Sequence, residues 1–187
     1  MPGSWRNRAL SDSQRAGGEH NGGVIRPATL ADADRIAAIY NPYVTDTVIT
    51  FETETVTAKD IAARMKSVWD KDLPYLVIEQ EGRVVGFAYA APYRPKAAYL
   101  HSVETTIYLD GEAGGKGLGG RLYRALIVAM RASHAHTAIS LIALPNEASV
   151  ALHHATGWRE VGVLTEAGQK PGPLDRRGLL PGSTSPD

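Results

Sequence analysis

The sequence predicts an α/β fold in which one mixed, mostly antiparallel sheet carries helices on both faces. The first observation is a hairpin: Glu81–Arg83, with a central glycine, separates two β-prone runs, Tyr75–Glu79 and Val84–Ala91. The second is a β-α-β order, because a strand-like run, a glycine-rich loop, an amphipathic helix and another strand-like run occupy residues 99–143. A hairpin meander followed by a β-α-β unit favours a single sheet that is covered on both sides.

Helix-start residues and periodicity indicate the other elements. Val24–Arg26 is a short strand, and Thr29 with Asp32 begins a helix that Pro42 is expected to end. Thr57 begins a second helix that runs to about residue 69. The later elements are a strand over 99–109, a helix over 118–132, a strand over 137–143, a short helix from Asn146 to Gly157 and a strand over 158–164.

Composition limits the classes of function. The 187 residues are 43% hydrophobic and 21% charged, which fits one globular domain with a buried core. Twenty basic residues balance twenty acidic ones, so no net field recruits nucleic acid or an anionic membrane. No apolar run approaches the roughly 20 residues of a spanning helix, and no signal segment is recognisable, so we expect a cytoplasmic protein. The lack of cysteine excludes disulfides, an acyl-cysteine intermediate and a cysteine-based zinc site.

A glycine-rich loop, Gly114–Gly120, joins the predicted strand to the predicted helix. Glycine lets backbone N–H groups approach an anion closely, and the start of the helix adds partial positive charge. The loop lacks the Gly-Lys-Ser/Thr ending of a P-loop and the spacing of the dinucleotide fingerprint. It predicts a phosphate-binding site of another kind, with a flexible β-α connection as the alternative.

The strand before this loop carries a carboxylate. Side chains alternate along Val103–Leu109, so Glu104, Thr106 and Tyr108 share one face. Glutamate is a poor strand former. It is either a solvent-facing residue or a general base that deprotonates an ammonium substrate.

Two further polar residues are candidates in the segment after residue 143. Asn146 is a good N-cap for the short helix. Imidazole titrates near neutrality, so His153 is a candidate general acid, with a packing or surface role as the alternative. The other histidines of this region do not form a convincing ligand set, so no metal is predicted.

Several of these segments resemble the GNAT N-acetyltransferases, and the phosphinothricin and methionine sulfoximine N-acetyltransferases among them. Gly117–Gly119 is in register with the family's Arg/Gln-x-x-Gly-x-Gly/Ala, although Gly114 replaces the Arg or Gln. Val103–Tyr108 is similar to Val-Glu-Ser-Thr-Val-Tyr, and Leu144–His153 is similar to Leu-Pro-Asn-x-x-Ser-Val-x-x-His. Segments that resemble the substrate side of that family are Thr50–Glu54, Ala91–Tyr93 and Ala98–Tyr99.

The resemblance implies a GNAT fold and acetyl transfer from acetyl-CoA to the amine of a small amino acid, without a metal. It implies that Glu104 is the general base, that His153 is the candidate acid, and that the protein is a homodimer. The cofactor residues that it implies are Ile107, Tyr108, Leu109, Gly115, Lys116, Gly117, Leu118, Gly119, Gly120 and Asn146. The substrate residues that it implies are Phe51, Tyr93 and Tyr99. The alternative is a non-catalytic acyl-CoA-binding module on the same scaffold.

The resemblance is continuous over residues 24–170, which define the predicted domain. Residues 1–23 are polar and glycine-rich and are predicted to form a flexible tail. After Lys170 the family continues Lys-x-Gly-x-Trp-x-Asp into an aromatic final strand, whereas this chain is rich in Pro and Gly. We therefore predict that the final strand is missing or altered and that 171–187 is a disordered tail. Codons for Gly178–Pro181 can read Gly-Tyr-Tyr-Gln in another frame, so a frameshift is a hypothesis that the DNA sequence tests.

Overall fold

The computed structural model describes residues 23–165, 167, 168 and 170, together with the backbone of 179–184. The strands are β1 (Val24–Pro27), β2 (Tyr75–Gln80), β3 (Arg83–Pro92), β4 (Ser102–Leu109), β5 (Thr137–Ala143), β6 (Arg159–Glu160) and β7 (Leu179–Thr184). The helices are α1 (Ala33–Asp46), α2 (Ala58–Trp69), α3 (Leu118–Arg131) and α4 (Glu147–Ala155). Among the described residues, no helix has both the length and the apolar character needed to span a membrane.

The strands form one sheet in the order β1-β2-β3-β4-β5-β7-β6. Neighbouring strands are antiparallel except for β4 and β5, which are parallel and are connected through α3. The prediction of a mixed, mostly antiparallel α/β sheet is confirmed.

Helices cover the two faces of this sheet. On β4, Thr105 and Tyr108 point to opposite faces because they are an odd number of residues apart. Tyr40 of α1 packs edge-to-face on Tyr108, with 4.9 Å between the ring centroids. Tyr123 of α3 shares a hydrogen bond with Thr105 on the other face, at 2.8 Å. The two faces of β4 therefore meet different helices.

The largest differences from the predicted element boundaries occur at three places. The prediction that Pro42 ends the first helix is wrong, because α1 continues to Asp46. Tyr40 and Val44 flank this proline and are buried, and the burial of their side chains outweighs the single hydrogen bond that proline removes. The strand predicted from 99 begins at Ser102, since a short 3₁₀ turn occupies 97–99. The strand predicted over 158–164 is limited to β6, and the apolar residues after it are exposed.

The last strand is present in altered form. Residues Leu179–Thr184 pair with β5, from Ala143↔Leu179 to Ala138↔Thr184, and also with β6. Of the two predicted outcomes, a missing or an altered strand, the structure therefore has the altered one, and this strand contains Pro181 and Gly182. An open strand edge offers backbone hydrogen bonds to any neighbouring strand, whatever its side chains. The other residues of the predicted C-terminal tail, 171–178 and 185–187, lie outside the described residues, as do residues 1–22 of the N-terminal tail predicted over 1–23.

Candidate active site

Two parallel strands at the centre of the sheet diverge after a short paired stretch. β4 and β5 pair only from Ser102↔Thr137 to Thr105↔Ser140, yet β4 continues to Leu109 and β5 to Ala143. The other edge of β4 stays paired with β3 as far as Leu109. Along its last four residues, the edge of β4 that faces the gap is therefore not paired with β5. Such an edge can accept an extended ligand through strand-like hydrogen bonds.

A cavity of about 1000 Å³ occupies this gap and continues past it. It is lined by the glycine-rich loop, which follows the end of β4, and by the start of α4. It is also lined by aromatic side chains, by the loop Ile49–Thr53 and by Glu104, which lies near the start of β4. The glycine-rich loop, which we call the cradle because it is predicted to bind phosphate, and the carboxylate of Glu104 thus line one continuous cavity.

The cradle is built from backbone. Gly115 and Gly117 both have a φ of +74°, a left-handed conformation that favours glycine. The first backbone hydrogen bond of α3 runs from Arg121 N to Gly117 O, at 3.2 Å. The N–H groups at the start of a helix have no partner within the helix, so those of residues 118–120 can bind an anion.

The residues of the loop divide into two groups. Gly115, Gly117, Gly119 and Gly120 line the cavity. Leu118 is instead buried in the core, with 1% of its surface exposed, and Lys116 is exposed outside the lining. The predicted cofactor residues Ile107, Tyr108, Leu109 and Asn146 also line the cavity. Asn146 is in addition the N-cap of α4, since its Oδ1 accepts a hydrogen bond from Ser149 N at 3.1 Å.

Glu104 is half-buried in the cavity wall. Burial raises the pKa of its carboxyl group, and the nearby positive charge of Arg94 partly opposes this effect. A carboxylate with a raised pKa is a stronger proton acceptor than an ordinary exposed one.

An aromatic wall adjoins Glu104, and its members Tyr40 and Tyr43 of α1 and Tyr89 of β3 were not predicted as site residues. Tyr40 shares a hydrogen bond of 2.5 Å with Thr50 Oγ1. Tyr43 donates one of 2.6 Å to the carbonyl of Leu109, and its ring lies 4.9 Å from that of Tyr108. Helical periodicity by itself places Tyr40 on the core side of α1, and it does not reveal the cavity, because the contacts of Tyr40 at the cavity are made by distant elements.

The predicted substrate residues do not all line the cavity. Phe51 lines the cavity and keeps 40% of its surface exposed. Beside it Glu52 forms an ion pair with Arg64, at 2.8 Å. Tyr93 and Tyr99 pack edge-to-face on each other, at 5.6 Å, and stand outside the lining.

His153 lies at the point where β4 and β5 separate, with only 5% of its surface exposed. Its Nδ1 lies 2.7 Å from the carbonyl of Ser149, which can only accept, so Nδ1 donates. Nε2 is then the acceptor for the hydroxyl groups of Tyr123, at 2.9 Å, and Ser140, at 2.7 Å. Burial lowers the pKa of this imidazole. The ring is therefore neutral at neutral pH in this arrangement.

The same hydrogen bonds tie the two diverging strands together. Tyr123 also shares its hydroxyl with Thr105 Oγ1, and Thr105 and Ser140 are the last paired residues of β4 and β5. His153 and Tyr123 thus fix the vertex of the gap from two helices. No group of three or more metal-ligating side chains occurs in the described part of the chain.

Comparison with known proteins defines the class. The family described as "Acetyltransferase (GNAT) domain" matches residues 25–173. A phosphinothricin N-acetyltransferase of Streptomyces coelicolor is 41% identical over 150 residues, which cover 78% of this chain and 87% of that protein. The chain belongs to the GNAT acetyltransferase family, and it is an N-acetyltransferase.

Two other similar proteins are also named for the small amino acids that they acetylate. An L-methionine sulfoximine/L-methionine sulfone acetyltransferase of Pseudomonas aeruginosa is 34% identical over 147 residues, which cover 78% of this chain and 86% of that protein. The structure of a phosphinothricin acetyltransferase from Sinorhizobium meliloti in complex with acetyl-CoA superposes with a TM-score of 0.82 and 32% identity, covering 87% of this chain and 88% of that one. Within the family, the chain is thus similar to enzymes named for small amino acids.

Proposed function

We propose that the protein transfers the acetyl group of acetyl-CoA to the amino group of a small amino acid such as phosphinothricin, methionine sulfone or methionine sulfoximine. The observation that carries the proposal is the single cavity that joins the glycine-rich cradle to Glu104 through the gap between β4 and β5. The relatives named above support the choice of substrates.

The residues of the cavity fit acetyl-CoA. The amides of the glycine-rich loop suit its pyrophosphate, and the unpaired edge of residues 106–109 suits its amide-containing arm. Asn146 lies beside the same space and would contact that arm. A backbone N–H of the β4 edge would stabilise the oxyanion that forms on the thioester carbonyl.

Glu104 is the general base of the proposal. It would take a proton from the substrate ammonium, directly or through water, so that the neutral amine attacks the thioester carbon. The C–S bond then breaks, the acetylated nitrogen loses its second proton, and the CoA thiolate takes up a proton.

His153 as the acid for that thiolate remains a prediction. The hydrogen bonds of its two nitrogens favour a neutral acceptor, which holds no proton on Nε2 to donate. The homodimer also remains a prediction.

An amine panel tests the proposed function. Purified protein is incubated with acetyl-CoA and, in turn, phosphinothricin, methionine sulfone, methionine sulfoximine, ordinary amino acids and a short peptide, and free CoA is measured. We expect turnover with at least one of the small amino acids and none with the peptide. Acetyl-CoA binding without turnover of any amine would instead identify a binding module, and turnover of the peptide alone would identify a protein acetyltransferase.

The glycine-rich cradle gives a second prediction. Alanine at position 117 must adopt the left-handed φ of +74°, which costs about 1 kcal/mol or shifts the following amides. We expect Gly117→Ala to raise the Kd for acetyl-CoA by about 5- to 10-fold, measured by calorimetry. Gly114→Ala is the matched control, because its φ is −63° and the nearest atom to an added Cβ is 3.6 Å away. Equal effects of the two changes would contradict a cradle built on this conformation.

A further inference from the structure

A segment that follows β6 packs on the loop Ile49–Thr53. This loop lines the cavity, and we call it the substrate-side wall. We call residues 167, 168 and 170 the strap. A Cβ added to Gly168 would come within 2.5 Å of the Phe51 ring, so the strap's backbone lies directly on that ring. Phe51 belongs to the cavity lining. Any displacement of the strap would therefore be transmitted to the wall.

Lys170 anchors the strap to the end of α1. Its ammonium donates hydrogen bonds to the carbonyls of Val44, at 2.5 Å, and Thr47, at 2.9 Å. The last carbonyls of a helix have no partner within the helix, and a cation beside them also interacts favourably with the helix dipole. Thr47 is the first residue after α1, where the chain turns into the loop. The ammonium thus joins the end of the helix to the start of the wall.

Side-chain hydroxyl groups hold the rest of this loop. Thr47 Oγ1 donates to the carbonyl of Tyr43, at 2.7 Å, and accepts from Ile49 N, at 3.1 Å. Thr50 Oγ1 shares its hydrogen bond with Tyr40. Both hydroxyl groups act within α1 and the loop itself. Lys170 and Gly168 are the contacts that connect the loop to the end of the described domain.

We propose that Lys170 is a positioning residue that sets the substrate-side wall and thereby the affinity for the amine. The ammonium fixes where the loop leaves α1, and Gly168 allows the strap to lie flat against Phe51. This inference rests on the proposed function, because it assigns the wall to the amine. The hydrogen bonds of Lys170 end on Val44 and Thr47, and not on the glycine-rich loop that forms the cradle for acetyl-CoA.

Kinetics of Lys170→Met and Lys170→Arg test the proposal. We expect Lys170→Met to raise KM for the amine about 10-fold through misplacement of the wall, while the Kd for acetyl-CoA stays within about twofold. Lys170→Arg keeps a cation that can bond the same carbonyls and is expected to restore most of the affinity. Lys71→Met, at an exposed lysine after α2, is the matched control and is expected to leave all constants unchanged. An unchanged KM in Lys170→Met, or an equal loss of acetyl-CoA affinity, would overturn the proposal.

Hydrogen exchange separates this inference from the proposed function. If the wild-type protein turns over no amine, hydrogen exchange at the amides of 47–53 is compared between the wild type and Lys170→Met. Faster exchange in Lys170→Met would support the positioning of the loop by Lys170 and would leave only the assignment of the wall to the amine refuted. Unchanged exchange refutes the strap itself. Should Lys170→Met fail to fold, Gly168→Ala replaces it, since its Cβ must displace the Phe51 ring. We expect the same rise in KM for the amine, and an unchanged KM would count against the strap.

Discussion

Replacing Glu104 by glutamine is expected to lower kcat by about 100- to 10,000-fold, the range typical for loss of a general base. Glutamine has nearly the same shape but cannot take up the proton of the substrate ammonium. Acetyl-CoA should bind as before, because its cradle is formed by backbone of the loop that follows the end of β4, whereas Glu104 lies near the start of that strand. The measurement is CoA release at saturating acetyl-CoA. Glu160→Gln, on the exposed strand β6, is the matched control.

The pH profile checks whether Glu104 acts through its charge. Burial raises its pKa above the ordinary 4.5, so the base is neutralised at a higher pH than an exposed glutamate. We expect kcat/KM of the wild type to fall as the pH drops through this raised pKa. The residual activity of Glu104→Gln should lack that limb. An acidic limb of the same shape in both proteins would contradict the assignment.

Stability should move in the opposite direction from activity. A carboxyl group with a raised pKa in the folded state contributes stability that is full below about pH 4.5 and is lost as the pH rises through the folded-state pKa. The ionised, partly buried Glu104 therefore destabilises the native protein at neutral pH. We expect Glu104→Gln to unfold at a higher temperature than the wild type at pH 7. The difference should vanish in acid.

Local patterns predicted most of the fold and the backbone part of the site. The hairpin turn at Glu81–Arg83 and the glycine-rich loop specify conformations that neighbouring residues alone determine, and both occur where they were expected. Strand β5 matches its predicted limits of 137–143. The boundary errors arise where packing or a partner strand decides, as at Pro42, which remains inside α1.

The side-chain contacts of the site were harder to predict from the sequence. Tyr43 reaches the carbonyl of Leu109 and Tyr123 reaches Thr105 across different elements. No spacing rule connects such pairs, because their proximity depends on how helices are placed over the sheet. Tyr93 shows the converse: it lies in a segment that resembles the family's substrate side, yet it packs against Tyr99 outside the cavity lining. A motif specifies which residue types occur and in what order. Whether a side chain lines the cavity depends on the direction in which it points, which the motif does not specify.

Replacing His153 by leucine is expected to destabilise the protein by about 2–4 kcal/mol. The change removes the acceptor for the hydroxyl groups of Tyr123 and Ser140 inside the fold. Tyr123 keeps Thr105 as a partner, whereas Ser140 loses its hydrogen bond to the imidazole. For a chain of this length the melting temperature should fall by about 5–15 °C, measured by thermal unfolding. His154→Leu changes the adjacent, exposed histidine and should stay within about 0.5 kcal/mol of the wild type.

The pH dependence of stability identifies His153 as the source of this effect. Burial lowers its pKa in the folded state below 6.5, so the unfolded chain binds the proton more readily. Its contribution is full above pH 6.5 and is lost as the pH falls toward the folded-state pKa. Wild-type stability should decline in this window, and His153→Leu should lack that decline. Equal slopes in the two proteins would refute a neutral, buried imidazole.

The pH profile of activity tests whether His153 also acts in catalysis. A general acid at position 153 must carry a proton on Nε2, so its activity would fall as the pH rises above its lowered pKa. An acceptor that fixes the vertex between β4 and β5 predicts no such fall between about pH 7 and 8. In that case Tyr123→Phe should also reduce activity, since it removes the hydroxyl that links His153 to Thr105. Loss of activity in Tyr123→Phe with a flat profile in the wild type would assign His153 to positioning, because an acid needs its own proton and not the hydroxyl of Tyr123.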